Sequence, residues 1–291
     1  MSESLPEEVP QRVVLDAGTA RILQAARADQ VETIEVSLDL GVSRTPIVTT
    51  ATGLQTSGGL LRWEDIDTIA DDEHGCYELS AAGCERIQCM SSMTGRLASL
   101  YATSGPPALL LSGTLMHRIK GVHPGQDTQL KLAPLPRLQN CRVLDTATGL
   151  GYTTIEAVRR GAASVHTVEL DPAVIQMQRR NPWSAELFLS DRIDRQTGDI
   201  AQVIEDFEED QFDRILHDPP VLELAGDLYG GAFYRQLHRT LSRRGHLFHY
   251  IGNLDSPSGK RTVPGVILRL EEAGFTDVKR RPEAFGVSAR A

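Results

Sequence analysis

The sequence predicts an α/β protein in which a Rossmann-like, doubly wound, mostly parallel sheet follows a smaller β-rich N-terminal domain. Three observations lead there. Past residue 140, short strand-like runs alternate with helical ones, the pattern of βαβ units. The first of those strands ends in an acid and turns through two glycines into a helix: Val143-Leu-Asp-Thr-Ala-Thr-Gly-Leu-Gly151. Before residue 105 the runs are short and β-like, separated by turn signals. The chain has 291 residues, the length of one large domain or two at roughly 150 residues each. The expected division is a β-rich domain over 1–105 suited to substrate docking, a connector over 106–138, and a cofactor-binding domain over 139–291.

The elements follow in order. Residues 33–40 alternate apolar and polar, and 46–50 and 59–63 continue as strands, with Thr52-Gly53 and Ser57-Gly58-Gly59 as turns between them. Residues 63–70 read as a short helix. Residues 80–101 are ambiguous: Ile87, Met90, Leu97 and Leu100 keep a helical spacing that polar runs interrupt. Ser104-Gly-Pro-Pro107 leads into a strand-like run over 108–113. In the second half, strands are expected at 142–145, 164–169, 212–217 and 245–251. Helices are expected at 153–160, 172–180, 232–241 and 263–273.

Composition excludes several classes. Apolar residues make up 41%, enough for a filled core and too many for a disordered chain. No apolar run approaches the roughly 18 residues that span a bilayer, and residues 1–10 are acidic, without a basic-then-apolar leader. A soluble, cytoplasmic protein with no membrane partner is expected. The formal charge of −9 speaks against a uniformly basic nucleic-acid binder, but it is unevenly spread. Residues 191–230 carry 12 acids and 3 bases, whereas 231–291 carry 5 acids and 11 bases. Arg179-Arg180, Arg243-Arg244 and Lys279-Arg280-Arg281 read either as solvated surface or as a phosphate footprint. Cys76, Cys84, Cys89 and Cys141 do not make a disulfide scaffold, and with His74 they match no familiar zinc spacing, so reduced thiols and no metal are expected.

The chemistry concentrates at strand ends. Asp145 closes the first strand, and Gly149 and Gly151 let the backbone pass close beneath a nucleoside-like ligand. Glu169 ends the next strand, where an acid accepts hydrogen bonds from both ribose hydroxyls. Asp199 falls where the third strand should end, with Asp191 and Asp194 as nearby alternatives for an adenine contact. The fourth strand ends in His217-Asp218-Pro219-Pro220.

The acid-first loop with its second and third acids resembles that of class I S-adenosylmethionine-dependent methyltransferases, over about 139–291. Ala147 stands where that family usually has its first glycine. The resemblance implies S-adenosylmethionine as cofactor. Asp145 would orient the methionine amino group, Thr146, Ala147, Gly149 and Gly151 would form the loop, Glu169 with its neighbour Leu170 would hold the ribose, and Asp199 the adenine. Asp218-Pro219-Pro220 resembles the Asp/Asn-Pro-Pro-aromatic motif of enzymes that methylate conjugated amines. Such an amine is a poor nucleophile because its lone pair is delocalised. A carboxylate and the Pro219 carbonyl, each accepting one N–H, would pull the nitrogen towards tetrahedral geometry, with the prolines holding the carbonyl rigid. Val221 replaces the usual aromatic, leaving Tyr229, Phe233 and Tyr234 as stacking faces or as helix-core residues. His217 would be a proton relay or a strand-end residue. His117 and Arg118 are candidate contacts before the sheet, Arg280 and Arg281 candidate phosphate contacts, and Trp183 reads as a packing residue.

The whole chain, including Met116-His-Arg, Asn181-Pro-Trp-Ser and His217-Asp-Pro-Pro, resembles a group of archaeal proteins predicted to be methyltransferases. The expected function is N-methylation of an exocyclic base amine in structured RNA, with cytosine N4 of ribosomal RNA as the single best choice. Three alternatives stand beside it: a protein or small-molecule N-methyltransferase, an aminopropyltransferase, and a non-catalytic RNA-binding module.

Overall fold

The computed structural model describes residues 12–220, 222 and 225–291. The chain divides into two compact units: residues up to 125 with 172–189, and residues 126–171 with 190–291. The connector expected over 106–138 is thus shared between the units, and the segment 172–189 joins the first although it lies inside the expected cofactor domain.

The first unit is built from small antiparallel sheets. Its elements are β1 (Val13–Asp16), α1 (Ala17–Ala28), β2 (Thr33–Val36), β3 (Thr45–Val48), β4 (Gly53–Thr56), β5 (Gly59–Arg62) and α2 (Trp63–Asp71). They continue with β6 (Cys76–Ser80), β7 (Gly83–Arg86), β8 (Gln88–Met90), β9 (Leu97–Tyr101), β10 (Ala108–Leu111) and β11 (Thr114–Leu115). The sheet orders are β1-β6-β7 and β11-β10-β9-β8, with β2-β3 and β4-β5 as hairpins. Residues 80–101 resolve as strands: Gly83 at φ 117° turns β6 back into β7, a conformation that costs glycine little. Leu15, Leu23, Leu54, Leu61 and Ile66 are fully buried in one core, each contributing about 1.5–3 kcal/mol by burial. The helix α1 went unread in the sequence; Asp16 caps it by accepting from the Thr19 amide at 2.8 Å.

The second unit holds the large sheet. In chain order it comprises α3 (Pro124–Leu132), β12 (Arg142–Asp145), α4 (Tyr152–Arg159) and β13 (Ser164–Glu169), then, after α5 (Pro172–Arg180) and α6 (Glu186–Leu189) of the first unit, β14 (Ile193–Thr197), α7 (Ile200–Val203) and β15 (Phe212–His217). It closes with α8 (Gly231–Thr240), β16 (Leu241–Tyr250), α9 (Pro257–Glu272), β17 (Thr276–Arg281) and β18 (Gly286–Arg290). The strand order is β14-β13-β12-β15-β16-β18-β17, parallel from β14 to β16, with β18 antiparallel to both neighbours. Side chains alternate across it as a period of two requires. Val143, Val165, Leu216 and Phe248 face a core with Leu132, Leu135 and Ala157, while Leu144, Ile215 and Leu247 face Ile204, Tyr234, Leu237 and Val266. Both faces of the central strands therefore carry buried apolar residues. The strand order reverses at β12 and β15, the switch point where open α/β sheets bind ligands beyond their carboxyl ends.

Candidate functional site

Four strand ends of the second unit carry the expected residues. At β12, Asp145 is 1% exposed. Its Oδ2 accepts from the Thr153 and Thr154 hydroxyls at 2.7 and 2.8 Å, and Oδ1 from the Ala147 amide at 3.5 Å. Burial pushes its pKa up to about 6, against the pull of those two hydroxyls. Asp145 therefore tethers the first turn of α4 to the loop, a role the sequence reading did not foresee. The signal was present in Thr153-Thr154, whose hydroxyls reach back across the loop to the acid eight and nine positions before them.

The loop itself is tight. The Gly151 amide donates to the Thr148 carbonyl at 2.7 Å, and Gly151 precedes α4 in the left-handed region at φ 80°. Gly149 sits at φ 52°, and a Cβ there would meet nothing within 4 Å. The side chain Gly149 lacks therefore leaves open space over the loop. The Thr148 hydroxyl pairs with that of Thr167 at 2.7 Å, holding the loop to β13.

Glu169 closes β13. Its Oε2 accepts from the Gly149 amide at 2.9 Å and its Oε1 from the Asp171 amide at 3.0 Å. Burial raises its pKa to about 7 although both amides favour the anion. Leu170 beside it is 42% exposed, an apolar surface next to the acid. Asp199 follows β14, where its Oδ1 accepts from the Ala201 amide at 2.9 Å as the cap of α7. Asp194 lies within β14 and pairs with His166 at 2.8 Å, while Asp191 precedes the strand, so Asp199 is the acid at its carboxyl end.

Beyond β15 the chain makes the His217-Asp218-Pro219-Pro220 turn. His217 is fully buried. Its Nε2 lies 3.0 Å from the Leu228 carbonyl, which can only accept, so Nε2 carries the proton. Nδ1 is then the acceptor for the Thr146 hydroxyl at 2.7 Å. Burial lowers the His217 pKa to about 4. Both ring nitrogens are committed to the neutral tautomer, so of the two roles open to it His217 takes that of a strand-end residue bracing the turn, not a proton relay. His249 stands behind it, its Nδ1 donating to the His217 carbonyl at 3.2 Å and its Nε2 accepting from Tyr234 at 3.0 Å.

Tyr229 is 4% exposed and its hydroxyl donates to the Pro220 carbonyl at 3.1 Å. It pins the Pro-Pro turn instead of offering a stacking face, and Phe233 and Tyr234 are buried in the same core. Val221, which replaces the usual aromatic of the motif, lies outside the described residues. Among the described residues no hydrogen bond engages the Pro219 carbonyl.

The sequence reading missed the partner of Asp218. Lys131, at the end of α3, places Nζ 2.6 Å from Asp218 Oδ2 and 3.0 Å from Asp127 Oδ2, and 4.3 Å from the centroid of the Tyr250 ring. Lys131 and Asp127 are 3% and 1% exposed. Burial alone would lower the lysine pKa, but the two carboxylates raise it above the ordinary range. Burial raises that of Asp218 and Lys131 opposes the rise. Lys131 and Asp218 are 87 positions apart in the chain, so no local pattern pointed to the pair.

The remaining candidates lie on other elements. His117 belongs to the first unit, and its Nδ1 accepts from the Leu109 amide at 3.1 Å, closing the β10–β11 hairpin. Arg118 follows it in the same unit. Trp183, also there, donates its indole N–H to the Leu40 carbonyl at 2.9 Å. It lines a cavity of about 510 Å³ with Asp16, Ile22, Arg44 and His123. Arg280 pairs with Asp255 at 3.2 Å and Arg281 donates to the Ser288 hydroxyl at 2.9 Å, both on the β17 ribbon. The four cysteines are free thiols, and no group of His, Cys, Asp or Glu among the described residues could hold a metal ion. No helix among the described residues is long and apolar enough to cross a membrane.

Known proteins share parts of this architecture. The family described as Conserved hypothetical protein 95 matches residues 131–226, from Lys131 through the Asp-Pro-Pro turn. An uncharacterized protein of Methanocaldococcus jannaschii is 45% identical over 185 residues, or 63% of this chain. The chain spans 64% of the length of that curated relative. Among solved structures, spermidine synthase from Thermotoga maritima superposes with a TM-score of 0.55 at 15% identity, covering 70% of this chain and 71% of that one. MnmC2 from Aquifex aeolicus gives 0.50 at 17% identity, covering 66% and 70%. At these identities the likeness is one of fold: an α/β methyltransferase-type sheet with a β-rich N-terminal part.

Proposed function

We infer that the second unit binds S-adenosylmethionine and transfers its methyl group to an exocyclic amine of a nucleobase in structured RNA, with cytosine N4 of ribosomal RNA as the substrate to test first. The observation that carries this reading is the row of strand ends. Asp145 and Glu169 close β12 and β13, Asp199 follows β14, and Asp218-Pro219-Pro220 follows β15 across the switch point. The residues fit the cofactor. Glu169 presents a carboxylate whose backbone partners leave lone pairs for two ribose hydroxyls, and Gly149 leaves the space a Cβ would fill. The cofactor supplies an electrophilic methyl group on a sulfonium.

The chain's own part is positioning. Asp218 accepts one N–H of the amine and the Pro219 carbonyl the other, so that the nitrogen lone pair is freed from the ring. Tyr229 and His217 hold that turn from behind. The base must be single-stranded or flipped to arrive there. RNA over a small molecule is favoured by the excess of bases in 231–291, of which Arg243 and Arg244 are exposed.

The fold likeness to spermidine synthase favours a second reading, transfer of an aminopropyl group to a cationic amine. Against it, the Lys131 ammonium already lies between Asp127 and Asp218, where such an amine would be gripped. Nucleoside mass spectrometry tests the proposal: RNA incubated with the protein and methyl-labelled S-adenosylmethionine should gain one labelled methylated base. Transfer from decarboxylated S-adenosylmethionine to a polyamine, with no labelled base, would replace it by the second reading.

A further inference from the structure

Asp218 is not a lone carboxylate at the end of β15. It shares the Lys131 ammonium with Asp127; the lysine and Asp127 are enclosed in the second unit with the Tyr250 ring beside the lysine, while the Asp218 side chain is 20% exposed. Two carboxylates and one ammonium leave the cluster with a net charge of −1. Asp127 is 1% exposed, and neither of its oxygens has a hydrogen-bond partner among the described residues; its contact with Lys131 is an ion pair. An acid so placed, one turn before Lys131 on α3, costs stability that an apolar residue would not. Its position is explained if the net charge of the cluster matters.

We propose that Lys131 is a positioning residue of the transfer site, clamping Asp218 Oδ2 so that Oδ1 faces the amine, and that Asp127 keeps the cluster negative so that it can take up the proton the methylated amine must lose. This rests on the methyl-transfer reading of the same site. The step balances: the amine nitrogen forms its bond to the methyl carbon, and the S–C bond breaks with its electron pair going to sulfur. The cationic nitrogen then gives a proton to Asp218 Oδ1, and the cluster passes from −1 to neutral before the proton leaves to solvent. Among the described residues Asp145 on β12 also feels the charge of Asp218, and neighbouring His217 is held neutral by burial.

The two flanking groups act on Asp218 with opposite signs, and that makes the proposal testable. Lys131 lowers its pKa and Asp127 raises it. In single-turnover methylation of RNA with saturating cofactor, the rate should rise with pH as Asp218 ionises. Lys131→Met should move that limb up by about one pH unit or more, Asp127→Asn should move it down, and Lys131→Arg should restore the parental limb. Affinity for S-adenosylhomocysteine should stay within about twofold in all three. If Lys131→Met does not fold, the acid shift of Asp127→Asn carries the test alone. Rates lowered equally at every pH would reduce the cluster to a structural role and overturn the proposal. A parent protein that binds S-adenosylhomocysteine and methylates no RNA overturns the methyl-transfer reading instead.

Discussion

The Thr146 hydroxyl and His217 Nδ1 meet at 2.7 Å, joining the cofactor loop after β12 to the Pro-Pro turn after β15 across the switch point of the sheet. The Thr146 amide also donates to the Leu216 carbonyl at 3.0 Å, so loop and turn are fixed together. This joint depends on a neutral imidazole, because only the Nε2–H tautomer satisfies both Leu228 and Thr146.

Acid should loosen that joint. The folded-state pKa of His217, about 4, lies below the ordinary 6.5. Between those values the unfolded chain binds a proton that the folded chain refuses. The stability His217 contributes is present above pH 6.5 and lost as pH falls towards 4, up to about 3 kcal/mol. Urea unfolding of the parent and of His217→Asn at pH 7 and 4.5 checks this. The variant should be less stable at pH 7 and should lose less on acidification.

Glu169 titrates in the opposite sense. Its folded-state pKa is raised from 4.5 to about 7, so without ligand the folded chain holds a proton the unfolded chain releases, and this contribution falls as pH rises from 4.5 to 7. Ribose hydroxyls are accepted best by the anion. Affinity for S-adenosylhomocysteine should therefore rise from pH 6 to 8, with protons released on binding. Calorimetry in two buffers of different ionisation enthalpy reads the release directly. Glu169→Gln should bind more weakly by about 2–3 kcal/mol at pH 8 and show no proton release.

Tyr229→Phe removes one hydroxyl from the back of the Pro-Pro turn. The lost bond to the Pro220 carbonyl should cost about 1 kcal/mol of stability. Turnover should fall by about tenfold with cofactor affinity unchanged, since the ring still fills its place in the core. Equal turnover in the two proteins would show that the turn holds itself.

What was legible in the sequence follows from how local each signal is. Val143, Leu144 and Asp145 announce a strand, its two faces and its end within a few residues, and the same holds for β13 and β15. The antiparallel ribbon of β17 and β18 went unread because Lys279-Arg280-Arg281 suggests a charged surface, not a strand; its Arg280 and Arg281 are paired within the ribbon and its neighbours. Residues 80–101 kept a helical spacing in four apolar positions, yet Gly83 and the pairing of β8 with β9 decide for strands. Asp218 was legible through its prolines. Lys131 was not, because a buried ion pair between distant elements leaves no periodicity or spacing behind. Tyr229 was noticed as an aromatic, but its role depends on which atom its hydroxyl reaches.

Substitution of Asp218 separates binding from chemistry. Its carboxylate lies beyond the end of β15, whereas the acids expected to hold the nucleoside close β13 and follow β14, so Asp218→Ala should leave affinity for S-adenosylhomocysteine within about twofold. The same change should lower single-turnover methylation by about two to four orders of magnitude, the range for losing a positioned acceptor or base. Asp218→Asn retains an oxygen that can accept one N–H, but it leaves Lys131 a neutral partner in place of a carboxylate. Its cluster becomes neutral before the reaction, so the leaving proton has no anion to join. Asp218→Asn should therefore fall between the parent and Asp218→Ala, with an acid limb that no longer reports a carboxylate at this position. Methylation by Asp218→Ala at the parental rate would make the Asp-Pro-Pro turn a structural feature and remove the main support for amine methylation.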